Sequence, residues 1–455
     1  MASEAWLGIG WAALGVGNAI DDGAYTSVAV SLMVVGTGCL VVGALRWSRR
    51  APASGYAGIR MSVAMAADGV VAVRFPAGIY GSGVALTASR LLTVAAVIVA
   101  VAGALMTGRH RGRGGRLFLL IVALAVTSGF LMIKASPRPA IDVWYMYQTA
   151  SASLLHGHNF YTAHWTSGMP GEVSNQFVYL PASVVVLAPF RWALGDVRFG
   201  LVIALALAAF GVFRMTSGPR AWLLAGLVVL VPKLTFGVEQ AWNDPLLLAF
   251  IIGAVLAVRR GRGTLAVLSF GAALASKQYA WLLVPAAAVW PEFGWRKAML
   301  AAGGAAVFTV PWILASPRAF WQGAFAYNLK LPPRFDSLSL YSLALRRGVT
   351  PGYGLLIAST LAAVGLSLWL ARHGSCGFVL GAAVVMAGFN LADKQAFFNE
   401  WFLVVGLIGV GLALANPDYR PDPHGGYPLH RTRSPGLGAH VSARHEPAVP
   451  TGGGG

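Results

Sequence analysis

Acidic residues are scarce in this chain. Asp and Glu number 16 against 34 Lys and Arg over 455 residues, and charged residues make up only 11%. Soluble globular domains carry about 25%, so that class is excluded. Cysteine is nearly missing: Cys39 and Cys376 both fall inside apolar runs, which excludes a disulfide framework and offers no metal-type spacing. Only six of the 34 basic residues are lysine. No internal repeat is evident, and there is no soluble domain of useful size. The opening MASEAWLGIG lacks the basic start and small-residue cleavage site of a secretory signal, so no removed leader is expected.

What is abundant is apolar sequence, at 57% of residues. It is arranged as runs long enough for membrane spans, which need about 17–25 residues. The fold class expected is all-α, a polytopic transmembrane helix bundle of about 11–14 spans or re-entrant segments. Candidate spans lie at 6–20, 25–45, 61–82, 90–107, 117–133, 199–213, 221–236, 241–257, 264–290, 298–315, 352–371, 376–393 and 401–416. Segment 178–195 begins with Pro181 and holds Pro189, so it spans or re-enters. Segment 264–290 is interrupted by Lys277 and Gln278, and is one long helix or a hairpin.

In a soluble protein the formal charge of +18 would point to nucleic acid. Here the arginines cluster between apolar segments, so they read as positive-inside topology signals, with membrane lipids and no nucleic acid as partners. One self-consistent arrangement puts Arg46 to Arg50, Arg109 to Arg116, Arg214 to Arg220, Arg259 to Arg262, Arg296 with Lys297, and Arg372 in the cytoplasm. It requires 178–195 to re-enter and 264–290 to be a hairpin. Every polar island then converges on the outer side: 134–177, Glu239 to Asp244, Lys277 with Gln278, 316–337, and Lys394 to Glu400. The expected organisation is an N-terminal extension of about four spans (1–116), a core (117–416) with a large outer loop (134–177), and a disordered cytoplasmic tail (417–455).

Asp142 is the only acid between Asp68 and Glu172. It opens a helical pattern over 142–155 in which Val143, Met146, Tyr147, Ala150 and Leu154 share a face and Gly157 is placed to end the helix. An amphipathic helix on the membrane surface fits. Asp is also a favoured N-cap, so Asp142 has a structural as well as a chemical reading. His156 and His158 without a nearby acid are plain loop residues rather than a metal site. The island GVEQAWNDP places Glu239, Gln240, Asn243 and Asp244 between apolar runs, either facing a cavity or making a turn whose Asp244 and Pro245 start the next helix. Lys277 is the only charge in a long apolar stretch, suited to binding phosphate as a compact cation. Lys394 repeats the Lys-Gln pair, or merely pairs with Asp393.

Together these residues resemble the GT-C superfamily of membrane glycosyltransferases, and most closely glycosyltransferase family 87, the polyprenyl-phosphate-mannose-dependent type. The resemblance covers about 117–400. Asp142 opens the loop, and LLHGHNFY (Leu154 to Tyr161) matches a helix ending in L-x-x-G-x-N/D-x-Y. Phe177, Tyr179 and Pro181 match F-x-Y-x-P, and VEQAWND matches a G-Q-x-N-like island with Glu239 in the Gly position and Gln240 and Asn243 in register. Lys277 matches a basic residue after a Gly/Ala-rich helix. The extra spans before 117 and Glu239 depart from the pattern.

The resemblance implies a cell-envelope mannosyltransferase in the bacterial plasma membrane, with its active site on the outer face. It would take sugar from a polyprenyl-phosphate donor, with no other cofactor and no metal, to a glycolipid or polysaccharide acceptor. Asp142 becomes the general base, Lys277 and then Lys394 the donor-phosphate cations, and Tyr145, His158, Asn159, Tyr161, Tyr179, Glu239, Gln240, Asn243 and Gln278 candidates for substrate binding. Mannose is the sugar the resemblance implies; a pentose such as arabinose, or glucose, stays open. The rival reading is a transporter or flippase of sugar-lipid that uses the same buried charges without chemistry.

Overall fold

Long apolar runs without breakers become long helices, and these frame the molecule. A computed structural model describes residues 2–49, 69–106, 114–165, 175–216 and 221–415. Expected features outside the described residues are the tail 417–455, the first part of the weak span 61–82, and much of the basic clusters 109–116 and 214–220. The described residues are helical with no strand. Six of their helices are long and apolar enough to cross a membrane: Ser27–Ser48, Gly83–Leu105, Gly114–Ala135, Gly294–Ala315, Gly352–Ala371 and Ser375–Ala392. The described residues fall within one compact unit.

Segments 178–195 and 199–213, expected as separate, form two helices, and one expected span is broken. Helices Ala182–Leu194 and Arg198–Phe213 meet at 116°, with Gly195 at φ +80° making the corner. The run expected as one span over 221–236 is divided into Ala221–Gly226 and Leu234–Glu239. Pro232 supplies no amide and disfavours helix in the residue before it, and Lys233 follows in the left-handed region at φ 61°. Residues 227–231 between the two helices are fully buried. Irregular backbone at membrane depth is tolerated there because protein, not lipid, surrounds it.

The run 264–290 is a hairpin. Helix Gly263–Leu274 gives way at Lys277 to extended backbone, and the chain returns through Gln278–Leu283 and Val284–Val289. Trp281 Nε1 donates to the Leu274 carbonyl at 2.9 Å across the bend. Phe270 packs edge-on against Phe293 from the other arm, at 5.6 Å.

Helix–helix contacts follow membrane rules, with small residues and buried hydroxyls at the seams. A Cβ on Gly36 would lie 2.6 Å from Leu14 Cγ, so glycine there lets helices Ser3–Ala19 and Ser27–Arg49 close. Ser89 and Ser128 exchange hydroxyl contacts at 3.0 Å between Gly83–Met106 and Gly114–Ala135. Ser375–Ala392 and Phe398–Leu414 are apolar all round and almost wholly buried, and so form the centre.

The bundle has two chemically different ends. At one, Lys297 Nζ reaches the Glu292 carbonyl at 3.0 Å, Lys297 Cε abuts Gly263, and Glu292 abuts Gly374, so basic loops 259–263, 292–297 and 372–374 lie side by side. Helix Gly294–Ala315, about 33 Å long, leads from there to the other end. At that other end the polar islands knit together. Tyr25 N donates to the Asp336 carbonyl, Ala182 N to Ala275, Arg334 N to Lys394, and Leu338 N to Ala396. The sequence expectation of convergence rests on the hairpin, and the hairpin is present.

Single cysteines at Arg262, Arg296 and His373 should react with a membrane-impermeant maleimide from one side only, and cysteines at His158, Gln322 and Lys330 only from the other. Labelling of Arg262 and Arg296 positions from opposite sides would contradict the hairpin.

Candidate functional site

The loop helix Asp142–Leu155 mounts the first carboxylate. Asp142 is its first helical residue; the cap position is Ile141, whose side chain makes no capping bond. Asp142 Oδ1 accepts from its neighbour Val143 N at 2.8 Å, and a carboxylate in this turn is favoured by the helix dipole. The buried face comprises Val143, Trp144, Met146, Tyr147, Ala150 and Ser151. Gly157, at φ +75°, ends the helix as the sequence pattern expects, with His158 N bonding back to the Ser153 carbonyl at 2.9 Å.

A buried arginine braces this mount. Arg198 is inaccessible to solvent. It donates from Nε and Nη2 to Asp196, from Nη1 to Ser136 Oγ and from Nη2 to the Ser136 carbonyl. Trp144 Nε1 of the loop helix donates to the same Asp196 at 3.1 Å. Arg198 and Asp196 therefore tie the corner at Gly195 to the segment that delivers Asp142.

Tyr179 lies at the middle of the site. Its ring stacks on Tyr147 at 5.6 Å. Its hydroxyl pKa is held well above the usual value, first by burial and then by Tyr147 and the carboxylates of Asp142, Asp244 and Glu400. The Lys277 ammonium stands over the Tyr179 ring at 5.5 Å and the Tyr279 ring at 4.7 Å. The polar end thus brings the loop helix that Asp142 opens, through Tyr147, and the Lys277 ammonium to the same tyrosine. Asp142 also acts electrostatically on Arg334, whose backbone amide is bonded to the Lys394 carbonyl at 3.2 Å.

The sequence reading of Lys277 as an isolated cation needs correction. Its ammonium donates to both oxygens of Asp244, at 2.9 and 2.8 Å, and both residues are buried. Tyr279 donates its hydroxyl to Asp244 as well. A lone ammonium here would be prohibitively costly, and a paired one is not. Asp244 with Pro245 starts helix Asp244–Arg259, so the turn reading of that island also holds. Lys394 donates to the carbonyls of Leu329 and Leu331 and contacts the Tyr353 hydroxyl. Its hydrogen bonds thus go to neutral oxygens, and it pins the loop that carries Arg334. Arg334 forks onto Asp336 through Nε and Nη2 and lies over the Phe397 ring at 4.7 Å.

Several expected substrate contacts are structural. Tyr161 is buried among Phe160, Phe177 and Phe320, its hydroxyl bonded to the Tyr179 carbonyl at 2.8 Å. Asn159 accepts from Tyr161 N at 3.1 Å to cap a short turn. His158 is exposed beyond the far end of the loop helix, about 20 Å along its axis from Asp142. Gln278 bonds the carbonyls of Val178 and Ala324. Glu239 turns its carboxylate onto the amides of Ile79 and Tyr80, at 2.8 and 2.9 Å.

Other expected contacts keep their place in the site. Tyr145 is half-buried one turn beyond Asp142, edge-on to Trp144 at 5.0 Å. Gln240 and Asn243 are buried beside the Asp244 pair; Asn243 interacts with the Tyr147 hydroxyl, and Gln240 Nε2 has no hydrogen-bond partner among the described residues.

Asp196, Arg198, Asp244, Tyr279, Arg334 and Tyr80 were not singled out as site residues from sequence. For Asp244 and Arg334 a signal existed: each is a charge in an island expected on the converging side. Among the described residues no group of three or more His, Cys, Asp or Glu could hold a metal ion. No protein-family model matches the chain, and no curated protein matches it.

Two predictions test these electrostatics. Removing one partner of a buried pair costs about 3–5 kcal/mol, whereas replacing both by apolar groups is close to neutral. Lys277→Met should therefore sharply lower the unfolding midpoint in detergent, and Lys277→Met with Asp244→Leu should recover most of it. Burial pushes the Asp393 carboxyl up to about 6, against the pull of Lys394 and two backbone amides. A raised carboxyl pKa means the folded state binds the proton more tightly, so stability falls as pH rises from about 4 to about 6. Asp393→Asn should remove that slope, seen as parallel melting midpoints across the window.

Proposed function

We propose that the chain is an integral membrane glycosyltransferase that moves mannose from a polyprenyl-phosphate donor to an acceptor hydroxyl on the outer face of a bacterial plasma membrane. The observation that supports this reading is that the loop helix opened by Asp142 packs on Tyr179, Lys277 stands over the same ring, and Arg334 bonds Lys394, all at one end of a helical bundle. The opposite end holds basic loops, which this reading assigns to the cytoplasm by the positive-inside rule.

The chemistry asked of this site is a single displacement. The acceptor oxygen forms its bond to the anomeric carbon as the bond from that carbon to the phosphate oxygen breaks. The acceptor proton passes to the Asp142 carboxylate, and the electron pair leaves with the polyprenyl phosphate. That leaving group needs positive charge rather than an acid. Arg334 and Lys394 at the rim supply it, with the Lys277–Asp244 pair forming the wall behind Tyr179. One displacement inverts the anomeric configuration. The transporter alternative is weakened by the grouping of buried charges at one end of the bundle, since transport sites lie near mid-depth.

Membranes carrying the chain, supplied with polyprenyl-phosphate-mannose, should glycosylate an added acceptor with inverted configuration. Asp142→Asn should insert normally and lose turnover by about 10²–10⁴-fold. Full activity in that variant would remove Asp142 as the base. Movement of intact sugar-lipid across the membrane without cleavage would replace the transferase by the transporter.

A further inference from the structure

The N-terminal extension reaches into the candidate site. Residues 77–82, between the extension's described helices, form a strap held on both edges. Arg90 donates from Nε to the Ala77 carbonyl at 2.8 Å and from Nη2 to that of Gly78 at 3.4 Å. Glu239 accepts from the amides of Ile79 and Tyr80, and Ser82 N donates to the Ala135 carbonyl at 3.1 Å. Glu239 is inaccessible to solvent, so this acid, which departs from the small residue of the resembled pattern, is spent on holding the strap. Bonds to a charged acceptor are about twice as strong as neutral ones, and a segment bonded at five of its backbone groups is a rigid support.

What the strap presents is Tyr80. Its backbone is fixed, yet 36% of the residue remains exposed. Asp142 and Glu239 both lie within electrostatic reach of its hydroxyl, whose pKa is raised first by burial, then by Glu239, then by Asp142. The strap is joined to the mount of the proposed base through Glu239, whose backbone carbonyl takes Arg198 Nη1 at 3.4 Å, while Arg198 holds the Asp196 that accepts from Trp144 of the loop helix. Aromatic faces are electron-rich and attract the electropositive C–H faces of sugar rings. The Glu239 carboxylate, bonded to the Tyr80 amide, and Asp142 disfavour an anion at that face, and two cations of this region are held elsewhere: Arg90 on strap carbonyls and Arg198 on Asp196.

We propose that Tyr80 is the aromatic platform of the acceptor subsite, supplied by the N-terminal extension, and that this subsite takes a neutral polyhydroxylated ring in preference to an anionic one. The proposal rests on the transferase reading for its kinetics but has a binding readout of its own.

Methyl α-mannoside serves as neutral probe and acceptor, and glucuronate as anionic probe. The comparison is wild type against Tyr80→Ala, with Tyr80→Leu to keep bulk without the ring, each with its melting midpoint checked. Tyr80→Ala and Tyr80→Leu should raise the acceptor KM by about tenfold and leave the donor KM within about twofold. Saturation-transfer NMR should show methyl α-mannoside bound to wild type, glucuronate weaker, and the mannoside signal lost in both variants. If wild type transfers sugar and both variants keep the acceptor KM, or raise both KM values alike, Tyr80 is not the platform and the base assignment stands. If wild type transfers no sugar, the transferase reading falls and the NMR comparison decides alone: loss of signal in the variants supports the platform. Equal signals, or none in wild type, overturn it.

Discussion

A charge placed among membrane helices must find its partner inside the protein, and that constraint organises the polar end of this molecule. Lys277 and Asp244 satisfy one another across the base of the hairpin and the start of helix Asp244–Arg259. Arg198 and Asp196 do so at the corner of the bent helix pair. Lys233 takes Asp22 and the Ala19 carbonyl, which joins the first hairpin of the chain to the broken run at Pro232. The Lys277 and Lys233 pairs join segments far apart in sequence, and the local Asp196–Arg198 pair reaches other segments through Trp144 and Ser136, so together they fix the relative placement of the loops. The apolar helices determine that the loops meet; the ion pairs determine how.

The same pairs separate two kinds of cation. Lys277 and Arg198 are fully committed at depth, and removing them would leave a buried carboxylate alone. Arg334 and Lys394 lie nearer the rim, one forked onto a half-exposed carboxylate and the other bonded to neutral oxygens. Under the transferase reading, the charge offered to a phosphate comes from these two side chains, and the buried pairs provide geometry. Tyr179 has the Lys277 ammonium over its ring and the loop helix's Tyr147 stacked against it.

The long helices were legible because a run of twenty apolar residues has one stable solution in lipid. The loop helix was legible for a different reason: its 3.6-residue pattern ends at Gly157, which takes the positive φ that terminates it. The break at Pro232–Lys233 was not, since the run around it stays apolar and only tertiary contacts with Asp22 and Ala19 reveal why Lys233 is there. Partners far apart in sequence were equally hidden. Lys277 and Asp244 are separated by 33 positions, and Glu239 and Tyr80 by 159. Nothing local distinguishes an acid that will hold a strap from one that will face a ligand, and Glu239, Tyr161 and Asn159, expected at the substrate, each make scaffold hydrogen bonds. Asp142 was legible as a helix start on either reading.

The account depends on a carboxylate, a tyrosine and rim cations sharing one pocket at the non-cytoplasmic end of the bundle. An electron cryo-microscopy map of the protein in nanodiscs with bound polyprenyl-phosphate-mannose tests this most directly. The account predicts the phosphate against Arg334 and Lys394, and the anomeric carbon beside Asp142 with room for one acceptor hydroxyl within about 3 Å of its carboxylate. Density for the phosphate among Arg259, Arg296 and Arg372 at the other end would contradict it.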